Sequence, residues 1–167
     1  MKRSTKKEGD TPIPSASRLY ELKVFVIEGP MTEKFIKKNP EISRTMQIRG
    51  DQTLANLHHA IFDAFDRFDE HMYEFQFGKG PNDPKAKRYV LPSDFDMGER
   101  NVAGDVASTT IDSLGLKVDQ AFAYWFDFGD DWWHQINVLA IEEKTPAGKF
   151  PKVTKRVGKS PPQYEED

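Results

Sequence analysis

Apolar and polar positions begin to alternate at residue 19. Tyr20, Leu22, Val24 and Val26 share one side and Glu21 and Lys23 the other, which predicts a strand ending at Gly29-Pro30. A polar stretch with Lys37, Lys38, Asn39 and Pro40 separates it from a second strand, Arg44 to Arg49, with Met46 and Ile48 on one side. Two strands joined this way predict an antiparallel pair. The period then changes. From Thr53 to Phe68, Leu54, Leu57, His58, Ile61, Phe65 and Phe68 fall on one stripe at 100° per residue, with Asn56, Asp63 and Arg67 opposite. Thr53 is a good N-cap, because its hydroxyl can accept from first-turn amides, and Asp51 stands ready to assist.

Alternation returns from Met72 to Phe77, and a short strand is expected from Arg88 to Leu91 after the turn-rich stretch Gly78 to Pro84. Pro92 to Ala107 reads as a long polar connection with Asp94, Asp96, Glu99 and Asp105, of the kind that is often functional or mobile. Thr110 to Leu116 predicts one helical turn closed by Gly115. Two further strands follow, Phe122 to Phe128 and Trp132 to Ile141. The order of strands around one main helix predicts an α+β domain. We expect a mostly antiparallel or mixed sheet with that helix packed on one face, α/β-roll or β-grasp-like; an all-β barrel with an inserted helix is the alternative.

Composition narrows the class. A chain of 167 residues is long enough for one core, and we divide it into a disordered tail (1–17), a single domain (18–162) and a frayed acidic C-terminus (163–167). No apolar run approaches a membrane span, and the N-terminus lacks the apolar core of a signal peptide, so a cytoplasmic protein with no membrane partner is expected. The absence of cysteine excludes disulfides, Cys-based zinc sites and thiol catalysis. A net charge of −3 gives no global pull towards nucleic acid. Charge is nevertheless segregated. Both ends are basic, and Lys149, Lys152, Lys155, Arg156 and Lys159 are candidate phosphate contacts.

Candidate chemistry gathers at one turn. Asp127, Asp130, Asp131 and His134 lie within eight residues between two strands, with Gly129 free to take the φ > 0 conformation of a tight connection. Turn chemistry with solvated acids is one reading. A divalent cation held by Asp127, Asp131 and His134, joined by His58 or His71, is another; no other cofactor is expected. Trp125, Trp132 and Trp133 are candidate interface aromatics, since adjacent strand residues point to opposite faces. No Walker loop or Gly-x-Gly-x-x-Gly is present.

Several segments carry a family resemblance: Thr53-Leu54-Ala55-Asn56-Leu57-His58, then Ala64-Phe65, then His71-Met72-Tyr73-Glu74-Phe75, then Phe122 through Trp132, and His134. In this order they resemble the plasmid pRiA4b ORF-three-like family, whose members are also labelled passenger or TnpR-like proteins of insertion elements. The resemblance spans roughly residues 18 to 162. It implies an α/β-roll fold and association with mobile DNA, and no established activity. The chain departs from the family pattern twice. Asp66 and Arg67 stand where Gly and Trp are common, and Gln163-Tyr164 replaces a Glu-Asp after Pro161-Pro162.

Three functions are therefore expected in descending order. The first is a non-catalytic binding or adaptor module for a protein partner. The second is a nucleic-acid-associated accessory protein. The third is a metal-dependent hydrolase or nuclease at the acidic turn.

Overall fold

A computed structural model describes residues 17–81, 83–94 and 101–164. Residues 1–16 of the expected 1–17 tail, Asp96 and Glu99 of the long connection, and residues 165–167 lie outside them.

Eight strands form a single sheet in the order β5-β4-β3-β6-β7-β1-β2-β8. They are β1 (Leu19–Glu28), β2 (Ser43–Arg49), β3 (Tyr73–Phe77), β4 (Lys87–Val90), β5 (Val102–Asp105), β6 (Ala121–Phe126), β7 (Trp132–Glu142) and β8 (Lys152–Val157). Two helices interrupt them, α1 (Glu33–Lys38) and α2 (Leu54–Ala64). β5 pairs with β4 in parallel, and the other neighbouring strands pair antiparallel. The expected β1–β2 pair is present, with Leu22 opposite Met46.

This corrects the expected fold class. The chain builds a mostly-sheet, mixed eight-stranded structure, and not an α/β-roll or β-grasp-like domain organised by one main helix packed on a sheet face. Two strands account for the discrepancy. β5 (Val102-Ala103-Gly104-Asp105) and β8, whose side chains are exposed or half-buried, lack apolar alternation because each is an edge strand. Backbone pairing places them, and side-chain burial, which leaves the sequence signal, contributes little. The basic side chains of β8 also discourage another strand from adding to that edge.

The helix is shorter than its apolar stripe. Thr53 Oγ1 accepts from the Asn56 amide and Asn56 Oδ1 accepts from the Thr53 amide, a reciprocal capping box. The exposed amides of Leu54 and Ala55 are taken by the Thr109 and Val106 carbonyls. At the other end Asp66 adopts φ 57°, its amide bonding Asp63 O while the Arg67 amide bonds Phe62 O. That is a Schellman turn with aspartate in the left-handed position usually held by glycine. Reversal of the chain at Asp66 turns Arg67 inward, so the residue expected to face solvent is buried, and Phe68, expected on the apolar stripe, is 73% exposed.

One core joins Leu54, Leu57 and Ile61 of α2 to Leu22 and Val24 of β1, Phe75 of β3, Tyr124 and Phe126 of β6, and Trp132 and Ile136 of β7. The predicted single turn before β6 is a 3-10 turn over Asp112–Leu114, closed by Gly115 at φ 63°. No described helix is long and apolar enough to cross a membrane.

Candidate functional site at the exit of α2

The acidic β6–β7 turn satisfies itself. Asp127 takes φ 66° and Asp131 φ 58°, positions where a short polar side chain is tolerated. Asp127 Oδ1 accepts from the Gly129 and Asp130 amides at 3.1 Å each, and the Asp131 amide closes onto the Asp127 carbonyl. Asp131 Oδ1 accepts from Trp125 Nε1 at 2.9 Å, and Asp130 faces solvent. His134 leaves the turn altogether. It is fully buried on the core side of β7, opposite Tyr124, whose carbonyl faces Nδ1 at 3.1 Å. The side chains of Asp127, Asp130, Asp131 and His134 thus do not converge on one point.

Behind the turn lies a buried polar layer. Arg67 Nη2 donates to His134 Nε2 at 2.9 Å, so the histidine proton sits on Nδ1 and is donated to Tyr124 O. The guanidinium lies over the rings of Phe65, Phe126 and Trp132, and it meets no carboxylate hydrogen-bond partner among the described residues. Burial pushes Arg67 down to about 10. Burial, with the adjacent Arg67 cation, holds His134 neutral, well below the usual histidine range. Among the described residues, Arg67 Nη1 and Trp132 Nε1 are buried donors that meet no acceptor.

The loop from Phe65 to Met72 brings the remaining groups together. His58, fully buried on α2, stacks on Tyr73 at 3.7 Å, with Nδ1 against Tyr124 Oη at 2.5 Å and Nε2 2.9 Å from Glu70 Oε1. Burial lowers His58 to about 3, and it raises Glu70. Exposed His59 Nε2 lies 3.9 Å from the other Glu70 oxygen. His71 Nε2 meets Tyr164 Oη at 2.7 Å and Asp127 Oδ2 at 3.4 Å, so the side chains of two expected metal ligands, His71 and Asp127, meet here. Gln163, expected to fray, is 4% exposed: its Oε1 accepts from the Phe68 and Asp69 amides and its Nε2 donates to Asp69 O. Tyr164 donates to Asp69 Oδ2. A cleft of about 630 Å³ opens between this strap and the loop, lined by Asp66, Phe68, Ser160, Pro161, Pro162 and Tyr164.

The model of the plasmid pRiA4b ORF-3-like proteins matches residues 34–165. The chain belongs to that family. A crystal structure of a protein of unknown function, MM3350 from Methanosarcina mazei Go1, is similar in fold at a TM-score of 0.59 and 20% identity. The match covers 84% of this chain and 69% of that one. Comparison with curated proteins finds no match.

For this ORF-3-like protein the other sequence candidates fall as follows. Trp132 is fully buried, Trp133 is buried on the opposite face beneath Trp125, and their stack at 5.0 Å leaves Trp125 half-buried. Arg156 Nη1 donates to Ala64 O, tying β8 to the end of α2. Lys152 and Lys155 project from β8, Lys149 is exposed before it, and Lys159 borders a cleft of about 320 Å³ with Lys34, Phe35 and Lys38. Sequence reasoning missed Arg67, Asp69, Glu70, Gln163 and Tyr164. The available signal was the pair of departures from the ORF-3-like pattern. Asp66-Arg67 and Gln163-Tyr164 are far apart in the chain and meet around this loop.

Proposed function

We propose that the protein is a non-catalytic binding module of a mobile-element-associated family, and that it captures a partner protein at the cleft beside Phe68. The carrying observation is an exposed phenylalanine on a backbone that Gln163 clamps through two amides. An aromatic anchor held in place before binding loses little further conformational entropy when it is covered. Pro161, Pro162 and Tyr164 supply the apolar wall, with Tyr164 edge-on to Phe68 at 5.9 Å. Asp66 and Asp69 stand on either side of Phe68 in the chain, so the complementary partner segment carries an apolar side chain flanked by Lys or Arg.

The test uses the full chain against peptides in which a central Trp, Phe or Leu is flanked by basic, neutral or acidic residues. Basic-flanked peptides should bind best, and Phe68→Ala should weaken them at least tenfold while leaving the melting temperature within a few degrees. Equal binding of all three sets, or binding indifferent to Phe68→Ala, would overturn the proposal.

A second reading has its own observation. Lys34, Lys38 and Lys159 surround Phe35 beside the basic edge strand β8, an arrangement suited to a phosphate backbone with one stacked base. Single-stranded oligonucleotide binding that weakens steeply with salt, and is lost in Lys38→Glu with Lys159→Glu, would favour it.

A further inference from the structure

His58, His59 and Glu70 are brought together without serving the proposed cleft. One ligand atom from each lies within 4.8 Å of the other two, the metal-competent grouping found among the described residues. Glu70 Oε1 is 2.9 Å from His58 Nε2, and Glu70 Oε2 is 3.9 Å from His59 Nε2. Tetrahedral bonds of about 2.0–2.1 Å to nitrogen and oxygen place ligand atoms about 3.3 Å apart. The two observed separations bracket that spacing, and His59 and Glu70 are exposed side chains that can close the difference by rotation.

We propose that His58 Nε2, His59 Nε2 and a Glu70 carboxylate oxygen form a binding site for a borderline divalent transition metal, of which Zn²⁺ is the type. Two imidazoles and one carboxylate suit zinc, cobalt or nickel better than calcium or magnesium, which prefer oxygen. Fixity of the first ligand supports the assignment. His58 is locked by its stack on Tyr73 and by the Tyr124 hydroxyl at Nδ1. That hydroxyl can donate to a bare Nδ1 or accept from Nδ1–H, so it remains a partner when the metal displaces the proton from Nε2. His58 is buried while His59 and Glu70 are exposed, so three protein ligands leave a coordination position for water on the open side.

This site differs from the one the sequence pointed to. Of the five expected metal ligands, Asp127, Asp131 and His134 have the partners described above, His71 faces Tyr164 and Asp127, and His58 remains.

Calorimetric titration of the full chain at pH 7.5 with Zn²⁺ and Co²⁺ tests the proposal, with Co²⁺ also read by its visible absorption. We expect one metal per chain, and at least a tenfold loss of affinity in His59→Ala and in Glu70→Gln, two exposed positions where the fold should persist by circular dichroism. His71→Ala and Asp131→Ala should bind as the wild type does. Absence of one-to-one binding, or binding that survives His59→Ala and Glu70→Gln, would overturn it. So would binding lost in His71→Ala or Asp131→Ala instead.

Discussion

The β6–β7 turn and the loop leaving α2 are both short, acidic and organised by aspartates at positive φ, yet they use their polar groups in opposite ways. In the turn, Asp127 and Asp131 accept from the turn's own amides and from Trp125. In the loop, the backbone amides of Phe68 and Asp69 are served by Gln163 from a distant strap, which leaves Phe68, His71 and Glu70 to face outward or across to other elements. A turn that satisfies its own donors is scaffold. A loop whose donors are satisfied from outside can present its side chains.

The largest expected effect concerns the histidine behind each region. His134 and His58 are both neutral in the fold, and His58 is lowered to about 3 from an ordinary 6.5. Below about pH 6.5 the unfolded chain therefore binds protons that the folded chain refuses, so stability falls as pH falls through that window. The slope is about 1.4 kcal/mol per pH unit for each histidine. Urea unfolding at pH 7 and pH 5 should differ by several kcal/mol, and His134→Gln should show a shallower dependence on pH. A stability independent of pH over this range would show that neither ring is held neutral.

Breaking the turn should cost more than loosening the loop. Asp127→Ala removes the acceptor of two amides and places alanine at φ 66°, a loss of about 2–3 kcal/mol, whereas Asp127→Asn keeps both features and should lose about 1 kcal/mol or less. Gln163→Ala frees the Phe68 and Asp69 amides, which water can reach more easily, for about 1 kcal/mol. Thermal melts of the three variants rank them directly, and an equal loss in all three would erase the distinction between the regions.

Glycine substitutions should have the smallest effect. Asp66→Gly and Asp131→Gly each relieve a left-handed aspartate while deleting one side-chain hydrogen bond, to Ser160 and Trp125 respectively. The two contributions are each about 1 kcal/mol and oppose one another, so the melting temperature should move little. A large loss at Asp66 alone would show that the Ser160 contact, and the Arg44 bond behind it, holds the strap in place.

Much of the sheet was legible because its central strands bury one face. Alternation located β1, β2, β3, β6 and β7, and the capping residues Thr53 and Asn56 marked the start of α2. The end of α2 was not legible. Apolar periodicity runs on to Phe68, and nothing local to the sequence announces that Asp66 accepts a left-handed conformation, with Arg67 buried as the result. The acidic turn was located correctly from its glycine and aspartates, but the destination of each carboxylate depended on which amides and rings stood within reach.

Where strands alternate, where the tight turn falls and which family the chain resembles could be read from the order of residues alone, because those properties depend on neighbours a few residues apart. The folded arrangement was needed to show that β5 and β8 complete the edges and that Arg67 lies against His134. It alone showed Gln163 clamping the loop that carries Phe68, and His58 and His59 facing Glu70. Each of these is a pairing of polar or backbone groups from segments distant in the chain. Hydrogen-bond partners chosen by reach and burial leave no periodic trace in a single sequence.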